Sequence, residues 1–368
     1  MSILKCGIIG LPNVGKSTLF NALTNAGAAV ANYAFCTVDP NKGIVAIPDE
    51  RLEQVKYCAG SPEKTEGSIE FVDIAGLVKG ANQGEGLGNQ FLSHIREMDA
   101  LIHVLRGFED ENVGHIYGQP DIHEDLEVIN LELILKDLET IDRRLEKTEK
   151  MLKTNKKIYH EEFEVLNYIK KQLEQGHNIK DLKLADKERK FIDYLNLLTQ
   201  KPVLHVINVS ETAFSNFEKR QALEKYQQKI EQTQGGECLA ISAKLESELL
   251  ELDPTEKDEF LEEFNLTDSG LNRLIKKAYQ LLDLITFFTA NENEARAWAI
   301  KRGTRAVKGA GQIHSDMEKG FIKAEVINWE ELVNCGNFPR AKEEGKLRLE
   351  GKDYIIQEGD VITFRFNV

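Results

Sequence analysis

Nothing in the sequence narrows the choice of fold more than GLPNVGKST, Gly10 to Thr18. It follows the apolar run Ile3 to Ile9 and leads into an amphipathic stretch, Lys16 to Asn25. In a G-x4-G-K-S loop the two glycines, here Gly10 and Gly15, let backbone N–H groups turn inward around phosphate oxygens. The helix that follows adds the positive end of its dipole. Lys16 is placed to reach the β and γ phosphates and Ser17 to bind magnesium, with Asn13, Val14, Gly15 and Thr18 completing the phosphate-wrapping loop.

Around this loop, short apolar strands alternate with helical stretches: Ile69 to Ile74, then Leu101 to Leu105. That is the pattern of an α/β domain with a mostly parallel sheet. The sheet resumes downstream with PVLHVINV, from Pro202, and ECLAIS, from Glu237, so something is inserted between. The insertion, 122–199, carries Ile134, Leu138, Ile141, Leu145, Thr148 and Leu152 at alternating spacings of four and three, a heptad seam. Tyr159, Phe163, Leu166, Ile169 and Leu173 continue it after a polar break, which predicts an antiparallel helical coiled coil. Beyond a connecting helix from Asp268 or Ser269 to Leu282, β-branched and aromatic runs broken by Gly-containing turns predict a small β-rich domain. The expected division is 1–121 and 200–282 for the nucleotide-binding domain, 122–199 for the insertion, and 283–368 for the C-terminal module.

A net charge of -14 argues against a chain that coats nucleic acid through a global positive field. A local exception lies between Arg296 and Lys323, where seven cations, Arg296, Lys301, Arg302, Arg305, Lys308, Lys319 and Lys323, face only Asp316 and Glu318. Such a patch suits RNA phosphates. Five scattered cysteines, none spaced as CxxC, suit reduced thiols in a cytosol. No apolar run approaches the roughly 20 residues that span a bilayer, and the N-terminus reads as a strand rather than a signal peptide. A cytoplasmic protein with no membrane association is expected.

Three further segments occur in the order of a GTPase-type switch domain. Thr37 lies in NYAFCTVDPN, where its hydroxyl would complete magnesium coordination in the presence of a γ phosphate. In DIAG, Asp73 would hold a magnesium-bound water and the Gly76 amide would meet the γ phosphate. NVSE stands where a GTPase keeps N-K-x-D to read guanine: Asn208 is kept, Val209 replaces lysine, and Glu211 replaces aspartate. The longer carboxylate alters the reach to guanine, so guanine selectivity is in question. SAK, Ser242, Ala243 and Lys244, supplies the last base-contacting loop. Leu77, where many GTPases keep a water-orienting glutamine, cannot hydrogen-bond.

Together these residues resemble the YchF/Obg-like ATPases, within the translation-factor-related GTPases. The resemblance runs from GLPNVGKSTLFNALT through NYAFCTVDPN, DIAGLVKGA and NVSE to AGQIHSDMEKGFIKAEV and FRFNV, nearly the whole chain. Ala34 departs from it, since NYPFCT is usual. The resemblance implies a GTPase-like P-loop NTPase domain, an inserted coiled coil, and a C-terminal TGS domain of β-grasp fold. It implies that ATP is used at least as well as GTP, with Asn208 contacting the adenine and Val209 offering an apolar surface. The ribosome, as its large subunit or as a 70S-type particle, is the implied partner, and a monomer is expected. The resemblance also points to His115, in ENVGHIYG, as the catalytic group that positions or deprotonates water beside Lys16. His103, within an apolar strand, reads as a core residue. Asn13 has an oxygen that suits a potassium ion beside the phosphates, as in cation-activated relatives. Two other readings of the same P-loop are a nucleotide-gated scaffold with negligible hydrolysis and a small-molecule kinase.

Overall fold

The computed structural model describes residues 4–28, 41–74, 87–110, 113–115, 118, 120–153, 157–264 and 266–367. In chain order the strands are β1 (Lys5–Ile9), β2 (Lys42–Ile47), β3 (Glu63–Thr65), β4 (Gly67–Asp73), β5 (Ala100–Gly107), β6 (Val203–Val209), β7 (Cys238–Ile241), β8 (Leu284–Ala290), β9 (Glu294–Lys301), β10 (Phe321–Asn328), β11 (Arg348–Glu350) and β12 (Asp360–Phe366). The first five helices are α1 (Lys16–Ala28), α2 (Glu50–Ala59), α3 (Leu87–Arg96), α4 (Ile122–Leu152) and α5 (Lys157–Glu174). Two compact units result. One comprises Lys5–Ala22 and Phe71–Leu274, the other Met1–Leu4, Leu23–Glu70 and Ile275–Val368.

In the first unit β1, β5, β6 and β7 lie side by side and run parallel, with Ile9 opposite His103, His103 opposite His205, and His205 opposite Cys238. A parallel sheet is covered on both faces, so its strands are near-continuous apolar runs. Accordingly β5 is buried from Ala100 to Arg106 and β6 from Leu204 to Val209. Leu105, Ile207, Val209 and Ala240 pack with Leu126, Phe214, Leu223 and Ile230 on one face. Asp73 ends β4, and the next residue, Ile74, donates its N–H to the Ile8 carbonyl at 3.1 Å, which holds Asp73 beside the end of β1. His103 is buried in the core, in keeping with the sequence reading.

Helix α4 starts at Ile122 because the Asp121 side chain accepts from the His123 and Glu124 N–H groups. Ile134, Ile141, Leu138 and Leu145 of α4 pack with Leu166, Ile169 and Leu173 of α5, so the heptad seam does join two helices. Ion pairs from Arg144 to Glu162 at 2.6 Å and from Lys170 to Asp142 at 2.7 Å flank it. At the base, the buried Asp137 carboxylate accepts from the Leu198 N–H, the Thr199 N–H and the Thr199 hydroxyl, each at 2.8 Å. This ties Leu198 and Thr199 to the middle of α4.

The second unit is built on a sheet of order β11-β10-β12-β8-β9-β3. The β10–β11, β10–β12 and β8–β9 pairs are antiparallel; the β12–β8 and β3–β9 pairs are parallel. Successive strand side chains point to opposite faces, and Phe287 and Phe288 of β8 divide accordingly. Phe287 packs with Ile300, Ala310 and Val326, while Phe288 packs with Ala297, Ile327 and Leu332. Fully buried aromatics of this kind each contribute about 1.5–3 kcal/mol.

The Phe288 face also takes Leu52, Val55 and Cys58 of α2, and Thr65 of β3 hydrogen-bonds Glu294 of β9. Residues 50–65, grouped with the nucleotide-binding segment on sequence order, therefore complete the C-terminal sheet. The apolar stripe of α2 states that the helix is covered; it does not state by which sheet.

Candidate functional site

The loop after β1 takes the backbone shape its glycines permit. Gly15 has φ +94, and a Cβ there would stand 2.2 Å from Asn208 Nδ2, so glycine is required by conformation and by contact. Asn13 is also left-handed, at φ 64. Helix α1 begins at Lys16, directly behind the loop, so its free N–H groups face the loop's interior.

Lys16 is 7 % exposed, and its ammonium donates to the Leu11 carbonyl at 2.8 Å. Burial holds its pKa below the ordinary lysine value, and the Asp73 carboxylate works in the opposite direction. Ser17 donates from Oγ to Asp73 Oδ2 at 2.7 Å, while Asp73 Oδ1 is buried with no partner among the described residues. A hydroxyl and a carboxylate converging with an unsatisfied oxygen is a donor set suited to a hard divalent cation, so these residues fit magnesium. Thr37 and Gly76, the other switch residues expected from sequence, lie outside the described residues, as do Ala34 and Leu77.

On the loop after β5, the Gly114 carbonyl accepts from Asn13 Nδ2 at 3.1 Å and from Arg106 Nη1 at 3.5 Å. Arg106 is buried, also donates to the Phe108 and Asp110 carbonyls, and lies over the Phe108 ring. Asn13 thus turns its amide nitrogen toward Gly114. His115, the sequence candidate for water positioning, places Nε2 3.1 Å from Asp125 Oδ2, and both side chains are 2 % exposed. Burial raises the Asp125 pKa, and the His115 hydrogen bond counteracts this.

The expected base-reading residues are brought together at the ends of β6 and β7. Asn208 donates from Nδ2 to the Val14 carbonyl at 2.9 Å and accepts from the Ala243 N–H at 3.0 Å. Val209 is 5 % exposed and packed beside Leu105 and Leu126. Ser242 is buried and caps the following helix by accepting from the Leu245 N–H. Lys244 and Glu211 are joined at 3.2 Å across the two loops.

In the C-terminal unit, three of the seven cations are paired among the described residues. Arg302 meets Asp283 at 3.0 Å, Arg305 meets Asp353 at 2.9 Å, and Lys308 meets Glu318 at 2.5 Å. Arg296 lies over the Trp298 ring at 4.4 Å. The local charge count missed Asp353, which is remote in sequence. Sequence reasoning likewise missed Asp125, Arg106 and His205. An acidic residue near a helix start reads as dipole decoration, and an apolar strand gives no sign of what its one histidine faces.

Two family models match the chain. Residues 5–156 match a model described as "50S ribosome-binding GTPase", and residues 284–367 match the YchF-GTPase_C model, described as a protein of unknown function. The "Ribosome-binding ATPase YchF" of Bacillus subtilis (strain 168) is 48% identical over 365 residues, covering 99% of this chain and 100% of that protein. The chain belongs to the YchF family. The similarly described protein of Escherichia coli O157:H7 is 47% identical over 364 residues, covering 99% of each chain. The structure of the Schizosaccharomyces pombe YchF GTPase aligns with a TM-score of 0.88 at 35% identity, over 99% of this chain and 98% of that one. This family member therefore carries a P-loop GTPase domain within its mixed α/β architecture.

Proposed function

We propose that this chain is a nucleotide-dependent switch that binds and slowly hydrolyses ATP, and also GTP, and acts on the ribosome. The observation that carries the reading is the convergence of Lys16, Ser17 and Asp73 beneath the loop, with Asp73 Oδ1 left unsatisfied. Its full-length likeness to relatives named ribosome-binding ATPases supports ATP and the ribosome as partners. A small-molecule kinase has no such support.

Lys16 exchanges its Leu11 carbonyl for phosphate oxygens, and the loop amides with the α1 N-terminus hold the remaining charge. Ser17 and Thr37 would hold magnesium, with Asp73 holding it through a bound water. Magnesium, when bound, neutralises phosphate charge. His115 positions the attacking water, since Leu77 has no group to do so. The Glu211–Lys244 pair borders the base, and Asn208 shapes that pocket by tying its loops together. Asn13, with its oxygen, forms a potassium site.

Helices α4 and α5 act as an antiparallel coiled-coil arm and the C-terminal sheet as a TGS module of β-grasp fold, both directed to ribosomal RNA. Within that module Arg296, Lys301, Lys319 and Lys323 carry the RNA contacts, because the other three cations are offset by acids. The protein works as a cytoplasmic monomer; among the described residues no helix is long and apolar enough to cross a membrane.

The test is a competition of ATP and GTP for binding, followed by ribosome co-sedimentation in each nucleotide state across salt concentrations. Stronger binding of ATP and salt-dependent sedimentation are expected. A large preference for GTP, or no ribosome association in any state, overturns the reading. The buried position of His115 favours a second reading, a nucleotide-gated scaffold with negligible hydrolysis. Single-turnover ATP hydrolysis with and without ribosomes separates the two.

A further inference from the structure

The segment carrying His115 touches both the P-loop and α4. Its backbone is tied to the P-loop by Asn13 and to β5 by Arg106, both of which donate to the Gly114 carbonyl. Its side chain is tied to α4, where Asp125 Oδ2 stands 3.1 Å from His115 Nε2. Asp125 sits one turn into that helix, its N–H bonded to the carbonyl of the cap residue Asp121 at 2.9 Å. The neighbouring Leu126 is packed against Leu105 and Val209, so the carboxylate is presented from a rigid position.

Both side chains of the pair are 2 % exposed. An imidazole so enclosed does not meet a water in an open nucleotide site. The second carboxylate oxygen, Oδ1, is buried without a partner, so Asp125 is incompletely compensated. Losing the His115 contact would leave both oxygens of a buried carboxylate unsatisfied, so Asp125 holds the imidazole firmly.

We propose that Asp125 is a positioning residue that latches His115 in a resting orientation and so sets the basal rate of nucleotide hydrolysis. The inference rests on the reading of His115 as the water-positioning group. The backbone tether keeps His115 beside the P-loop, while the Asp125 contact directs its imidazole toward α4.

The test compares steady-state ATP turnover and ATP affinity in the full chain for the wild type, H115A, D125A, D125N and the H115A/D125A double variant, with folding followed by thermal melting. D125A is expected to raise kcat about tenfold, the effect of losing one hydrogen bond to a charged group, with ATP affinity unchanged. D125N keeps an acceptor oxygen without the charge and is expected to fall between D125A and wild type. H115A is expected to lower turnover, and the double variant to match H115A. A D125A or D125N rate at or below wild type in a folded protein overturns the latch, as does a rise that persists when His115 is absent. Wild-type turnover in H115A removes the reading of His115 itself, and the latch with it.

Discussion

Asn208 braces Val14: its Nδ2 donates to the Val14 carbonyl at 2.9 Å, while its Oδ1 accepts from the Ala243 N–H at 3.0 Å. One buried side chain thus ties the phosphate loop to the loop after β7. Asn208→Ala leaves a buried acceptor and a buried donor unpaired, at about 1–3 kcal/mol each. A lower melting temperature and at least about tenfold weaker ATP affinity, the equivalent of about 1.4 kcal/mol, are expected by calorimetry. Unchanged affinity would show that the brace does not shape the loop.

Gly15 is the tightest point of the same arrangement. A Cβ there would lie 2.2 Å from Asn208 Nδ2, and φ is +94. Gly15→Ala must displace Asn208 or rebuild the loop, so ATP binding measured by equilibrium titration should be lost while far-ultraviolet circular dichroism stays native. Retained binding would contradict the contact.

The Ser17–Asp73 pair predicts a specific magnesium defect. Asp73→Asn keeps the size of the side chain and removes its charge, so the magnesium concentration needed for half-maximal turnover should rise by about tenfold or more. Nucleotide affinity measured in the presence of a chelator should change far less. Equal losses with and without magnesium would assign the pair a structural role only.

Two histidines on adjacent strands predict acid lability. His103 and His205 have ring centroids 5.7 Å apart and line a cavity of about 30 Å³ with Asn178 and Lys180. Burial lowers the pKa of both, that of His205 to about 3, with Lys180 acting in the same direction and Lys16 also bearing on His103. In the unfolded chain a histidine titrates near 6.5, so between 6.5 and 3 the unfolded chain binds more protons. The stability due to His205 is therefore complete above about pH 6.5 and is lost as pH falls toward 3. Asp137 and Glu246, whose pKa values burial raises, oppose this, so the readout is a difference. The melting temperature of His205→Gln should fall less steeply than that of the wild type between pH 7 and pH 4. Parallel curves would mean that His205 is not neutral in the fold.

Much of the architecture was legible along the chain. The alternation of apolar strands predicted a parallel sheet, and β1, β5, β6 and β7 form one. The four-and-three spacing from Ile134 to Leu145 predicted a helical seam, and those residues meet Leu166, Ile169 and Leu173. Such patterns are local, because helix and strand periods depend on near neighbours. Long-range pairing has no such period. It placed α2 and β3 with the C-terminal sheet and set Asp353 against Arg305, a cation that sequence counting had left free.

The same division holds at the candidate site. By itself the sequence determined the phosphate loop, since Gly10, Gly15, Lys16 and Ser17 act through backbone shape and spacing within one turn of chain. Only the tertiary structure decided that Asn208 is a brace, that Val209 belongs to the core, and that His115 lies against Asp125. The reason is physical: a side chain's role follows from which distant groups satisfy its polar atoms or cover its apolar ones, and that is settled only when the strands and helices carrying those groups are packed together.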